Sequence, residues 1–187
     1  MSSRNVFFIH GAGDPRHPEG SGQLADYLAR ELGDDWEVIA PTMPEPDDPH
    51  YRPWRDAIEE HLAGLGDDPL LVGHSFGGSV LLKYLADGTY QRPIAAIFLV
   101  SVPFWGPEFR DFALPEDFAA HLPSAPTFLY HSHDDPEVPL SHLHRYQEQL
   151  PDATTRIIEG SQHSFTRGLP ELVRDIQAVS ATSSNTG

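Results

Sequence analysis

The stretch "LLVGHSFGGSV", residues 70–80, sets a lone serine between two glycines where an apolar run passes into an amphipathic one. Leu70 to Gly73 reads as a buried strand, and Val80, Leu81, Tyr84 and Leu85 recur behind it at helical spacing. A sharp strand-to-helix turn lifts Ser75 above the end of a sheet, and Gly73 and Gly77, two residues to either side, let neighbouring backbone come close. That geometry suits a nucleophile. The rest of the chain must then supply the partners a serine needs.

Around this junction, short apolar runs alternate with helix-period segments, the pattern of a parallel sheet wrapped by helices. The strands are expected at "VFFIH" from Val6, "WEVIA" from Trp36, the run from Leu70, "IAAIFLVS" from Ile94, "TFLYH" from Thr127 and "TTRIIE" from Thr154. Leu24, Tyr27, Leu28 and Leu32 share one helix face that Gly33 ends, and Trp54, Ile58, Leu62 and Leu65 mark another. Leu143, Tyr146 and Leu150 mark a helix with Ser141 as its N-cap, and Leu172, Val173 and Ile176 mark the last. Two segments read as loops at the carboxyl edge of the sheet: 41–53, too rich in proline for a helix or central strand, and 102–118, dense in aromatics. The expected organisation is one domain over residues 1–180 with a flexible tail at 181–187, since "SATSSNTG" is small and polar.

The formal net charge of −16, from 28 acidic against 12 basic residues, excludes the basic footprint that nucleic acid or an anionic membrane requires. A small neutral or cationic acyl compound fits better as substrate. The opening "MSSRNVFFIHGAG" has an apolar run too short for a signal segment or membrane span, so a soluble cytoplasmic protein is expected, as a monomer or small homo-oligomer. The absence of cysteine removes any disulfide framework, thiolate metal site or cysteine nucleophile.

A serine hydroxyl becomes a good nucleophile only when a base takes its proton, a third group orients the base, and donors await the oxyanion. "HSHDDPEVP" follows the fifth strand and offers Asp134 and Asp135 as acids; "EGSQHSF" follows the sixth and offers His163 as base. Parallel strands put these loops at the same edge as Ser75. For the oxyanion, the amide of Phe76 opens the helix after the serine, and "HGAGDP" after the first strand adds an amide from the turn at residues 11–13, with Ala12 preferred. His10, Gly11, Phe104 and Trp105 are candidate pocket residues, while His74, beside the serine, is expected to pack within the elbow. His131, His133 and Asp134 form an H-x-H-D cluster, but no second histidine pair follows at ligand spacing, so no metal and no cofactor are expected.

"HGAGDP", "GHSFGG", "DDPEVP" and "GSQHSF", in that order, resemble the α/β-hydrolase superfamily over about residues 5–178. The short length and "MPEPDDPHYRPW" are most similar to the small serine hydrolases related to retinoblastoma-binding protein nine, which lack a large cap domain. The resemblance implies an α/β-hydrolase fold whose six parallel strands lie in the order second, first, third, fourth, fifth, sixth, with helices on both faces. It implies Ser75 as nucleophile, His163 as base and, because the acid directly precedes the proline, Asp135 rather than Asp134. The implied activity is a carboxylesterase-like serine hydrolase acting through an acyl-enzyme. The same residues would also serve thioesters, amides or peracid formation, and a fold kept only as a protein-interaction module is the reading from another class.

Overall fold

In the computed structural model, which describes residues 4–183, the chain runs β1 (Arg4–Ile9), α1 (Gly22–Leu32), β2 (Trp36–Ile39), α2 (Tyr51–Gly64), β3 (Leu70–His74) and α3 (Phe76–Ala86). It continues through β4 (Ala96–Val100), α4 (Phe118–His121), β5 (Thr127–Ser132), α5 (Leu140–Gln149), β6 (Thr154–Ile158) and α6 (Pro170–Ser183). The strands form one sheet in the order β2-β1-β3-β4-β5-β6, every neighbour parallel. This is the α/β-hydrolase fold, built without a large cap domain.

Strand residues alternate between two apolar layers because successive side chains leave a strand on opposite faces. Phe7, Ile9, Leu71, Ile97, Leu99 and Leu129 face α2, α3 and α5 through Trp54, Ile58, Leu81, Leu85, Leu143 and Tyr146. Val6, Phe8, Val72, Phe98 and Val100 face α1 and α6 through Leu24, Leu28, Leu172 and Ile176. Both faces of the central strands are therefore covered, which is why their sequences read as continuous apolar runs. On the second face the Asp175 carboxylate of α6 accepts the Tyr130 hydroxyl at 2.6 Å and both Arg156 guanidinium contacts at 2.6 Å, tying α6 to β5 and β6.

Three boundaries differ from expectation. The loop after β2 ends at His50, because Pro53 falls in the first turn of α2, where the missing amide hydrogen has no intrahelical partner to lose. Helix α5 starts at Leu140, so Ser141 lies inside it and makes no side-chain cap bond. Helix α6 carries on to Ser183, so the backbone of residues 181–183 is helical rather than a loose tail; residues 184–187 lie outside the described residues.

The turn after β3 depends on close packing of α3 against β1. A methyl group on Gly77 would run into the backbone carbonyl oxygens of Ile9 and His10. Backbone cannot yield as a side-chain tip can, so Gly77→Ala is expected to destabilise the fold by about 3 kcal/mol or more. Comparison of urea midpoints with those of the parent protein measures this.

Candidate active site

Ser75 occupies the step from β3 to α3 with φ 49° and ψ −124°, a conformation at positive φ that non-glycine residues adopt only under constraint. The constraint is visible: its amide donates to the Val100 carbonyl at 2.8 Å, and its own carbonyl receives the Gly78 and Ser79 amides. The strained turn holds Oγ up at the sheet edge. There the Ser75 hydroxyl donates to His163 Nε2 at 2.8 Å, and His163 Nδ1–H donates to Asp135 Oδ2 at 2.8 Å. Asp135 is ionised and can only accept, which places the imidazole proton on Nδ1 and leaves Nε2 free to take the serine proton.

The two adjacent aspartates act separately. Asp135 has its carboxylate buried, with Oδ1 receiving the amides of Glu137 and Val138 at 2.9 Å each. Burial alone would raise this carboxyl, but the His163 bond and those two amides outweigh it and hold it well below the usual carboxylate range. Asp134 turns away: its Oδ1 accepts the Ser132 hydroxyl at 2.5 Å and the Gln162 amide at 3.1 Å. Ser132 Oγ also receives the Ser161 amide at 3.1 Å, so the acid and histidine loops are stitched together close to the contact between Asp135 and His163.

The turn after β1 resolves by its hydrogen bonds. The Gly11 amide donates to Ser21 Oγ at 2.9 Å and the Gly13 amide to the Pro46 carbonyl at 2.7 Å. Among the described residues the Ala12 amide makes no such bond, and neither does the Phe76 amide in the first turn of α3. Gly11 lets the turn approach the serine, since a Cβ there would stand 3.2 Å from Ser75 Cβ and 3.1 Å from His74 Nδ1. Two amides from two loops are thus left without a protein acceptor, one directly after Ser75 at a helix N-terminus where the dipole favours negative charge.

His10 does not line a pocket as expected; the ring is buried and both nitrogens are spent. Its Nδ1–H donates to the Gly11 carbonyl at 2.5 Å and its Nε2 accepts the Met43 amide at 2.8 Å, so it braces the β1 turn against the loop after β2. Gly11 is likewise buried. Phe104 packs on Tyr146, its amide donates to His142 Nδ1 at 2.8 Å, and the Arg145 guanidinium lies 4.0 Å from its ring centre. Trp105 is the aromatic nearer the serine turn: it meets Phe76, Phe109 and Phe112, and its indole N–H donates to Ser79 Oγ at 3.0 Å. The H-x-H-D side chains diverge. His131 donates to the Val138 carbonyl, His133 faces Glu159, and no group of three metal-ligating side chains occurs among the described residues.

Sequence reasoning misses Ser21, Pro46 and His142, each of which accepts one backbone amide, and Ser132, whose hydroxyl bonds Asp134 and receives the Ser161 amide. His74 packs within the elbow as expected and also anchors the histidine loop, because its Nε2–H donates to the His163 carbonyl at 2.9 Å. Burial, with His163 beside it, pulls the His74 imidazole down to about 3; burial likewise lowers His10 and His131. An imidazole whose folded value lies below its ordinary 6.5 binds a proton more readily in the unfolded chain. Stability is therefore expected to fall as pH drops below about 6.5, by about 1.4 kcal/mol per pH unit for each fully buried imidazole. Urea midpoints at pH 7.5, 6.5 and 5.5 check this; a flat series would contradict it.

A constrained serine at a strand-to-helix turn, in line with a histidine and an acid on later loops of one parallel sheet, defines a class of protein. Residues 6–138 match the alpha/beta hydrolase family, and the chain belongs to it. A comparison with curated proteins gave no match. Among solved structures, the ydeN gene product of B. subtilis is similar at a TM-score of 0.78 and 23% identity, covering 96% of this chain and 100% of that one. A serine hydrolase involved in carbazole degradation, the CarC enzyme, is similar at a TM-score of 0.76 and 14% identity, covering 97% of this chain and 92% of its own. The esterase RhEst1 from Rhodococcus sp. ECU1013 gives 0.69 and 18%, covering 95% of this chain and 90% of that one. At these identities the likeness is one of fold. No helix among the described residues is long and apolar enough to cross a membrane.

Proposed function

We propose that the protein is a serine hydrolase that cleaves small carboxylic esters or related acyl compounds. The observation that carries this reading is the unbroken line from Ser75 Oγ through His163 to Asp135, with both contacts at 2.8 Å. Ser75 Oγ attacks the acyl carbonyl carbon as its proton passes to His163 Nε2, and Asp135 stabilises the imidazolium that forms. The carbonyl oxygen becomes an oxyanion held by the Ala12 and Phe76 amides. His163 then gives its proton to the departing alkoxide, leaving an acyl-serine. Water attacks the acyl-serine, with His163 taking the proton, and the acid leaves as Oγ regains a proton. Every proton is carried by the chain's own residues or water.

The proline-rich loop after β2 and the small size favour a hydrolase of the kind related to retinoblastoma-binding protein nine, acting in the cytoplasm on a small-molecule acyl substrate. The neighbours' names support an acyl-hydrolase reading in general, since one is a serine hydrolase and another an esterase. A fluorophosphonate probe is expected to label the folded protein at Ser75, located by peptide mapping. Absence of labelling would mean that the serine is not activated, and the protein-interaction reading would replace this one.

A further inference from the structure

Glu137 follows Asp135 by two residues in the acid turn, and its place there is set by the bond from its amide to Asp135 Oδ1 at 2.9 Å. Its side chain turns to the front of the site, where Oε2 lies 3.7 Å from His163 Nε2, the same nitrogen that receives the Ser75 hydroxyl. That nitrogen is the one that hands a proton to the leaving group, so a carboxylate beside it flanks the leaving group rather than the acyl chain. The carboxylate is 65% exposed, and among the described residues no arginine or lysine lies within ion-pair distance of it. Asp14, an acid on the loop after β1, is by contrast spent on the Arg16 amide and guanidinium. Glu137 thus presents an uncompensated negative charge within a few ångströms of the bond that breaks.

We propose that Glu137 is a specificity-determining residue that fits the site to acyl esters whose leaving group carries a positive charge. The inference rests on the hydrolase reading above. A two-carbon spacer puts a cation roughly 3–4 Å from the leaving oxygen, close enough to meet the carboxylate while that oxygen faces Nε2. An anionic leaving group, such as a phosphorylated or sulfonated alcohol, meets like charge in the same place and is disfavoured. The overall charge of −16 acts in the same direction on the approach of substrate, and Glu137 gives that field a local point of contact.

The test uses the acetate esters of three alcohols of similar size: 2-(trimethylammonio)ethanol, its neutral isostere 3,3-dimethylbutanol, and 2-sulfoethanol. In the parent protein kcat/KM is expected to follow the order cationic, neutral, anionic, with about tenfold between the first two at low salt. In Glu137→Gln that ratio should shrink to within about twofold, and in Glu137→Lys it should invert. Added salt at about 0.5 M should shrink it strongly in the parent and only slightly in the glutamine variant, where the overall charge alone is screened. Unequal turnover that persists equally in Glu137→Gln, or equal turnover of all three esters, overturns the inference and leaves the hydrolase reading intact. Failure to turn over the cationic ester also overturns it, and probe labelling of Ser75 then decides whether the hydrolase reading falls as well.

Discussion

Ser75→Ala is expected to lower kcat on a short p-nitrophenyl ester by roughly 10⁴- to 10⁶-fold and to abolish fluorophosphonate labelling. The substitution removes the proposed nucleophilic oxygen while leaving the β3 to α3 turn in place. The Ser75 backbone bonds that shape the turn, from its amide to Val100 and from the Gly78 and Ser79 amides to its carbonyl, do not involve Oγ. Alanine at φ 49° costs no more than serine does there, so thermal stability should change little. Residual rate above the uncatalysed reaction should remain, because the change leaves untouched the Ala12 and Phe76 amides, the proposed oxyanion donors. A variant retaining more than about a tenth of parental kcat would exclude Ser75 as the nucleophile.

Replacing Asp135 by Asn should cost about 10⁴-fold in kcat, whereas the same change at Asp134 should cost no more than a few-fold. Asparagine at 135 keeps the shape but loses the charge that balances the imidazolium. Its amide can also present N–H to His163 Nδ1, which would move the ring proton to Nε2 and leave the Ser75 hydroxyl without an acceptor. The Glu137 and Val138 amides still need the Oδ1 acceptor, and they would orient the new side chain with its NH₂ towards Nδ1, the unproductive direction. At 134 the Oδ1 acceptor that serves Ser132 and Gln162 is retained by asparagine. Parallel steady-state kinetics on the two variants separates the neighbours; equal losses would mean that the acid turn acts as a unit rather than through Asp135.

Much of this arrangement is legible in the chain because it follows from local rules with short periods. Apolar runs of strand length between amphipathic helices lead to a parallel sheet, and parallel strands bring all strand-to-helix loops to one edge. Ser75, the two aspartates and His163 can therefore be gathered before any coordinates. Boundaries fail where one residue type has two uses: Pro53 reads as a helix breaker, yet in a first turn it costs little. The pocket reading of His10 fails for a different reason. His10 sits on the loop of a catalytic edge, but whether a ring points to solvent or into the fold depends on partners such as the Met43 amide, 33 residues away.

Periodicity and chain connectivity are enough to specify six parallel strands, the sharp turn at Ser75 and the order of the loops that carry Asp135 and His163, whereas the order of the strands in the sheet is what the family resemblance implies. Packing between distant segments selects which aspartate meets His163 and which amide of the 11–13 turn stays unspent. Adjacent residues in a turn diverge by their backbone angles, and the bonds from the Gly11 amide to Ser21, the Gly13 amide to Pro46 and the Ser161 amide to Ser132 exist only once those segments have come together. The carboxylate of Glu137 beside His163 belongs to the same category: a contact across 26 residues leaves no periodic mark in the chain.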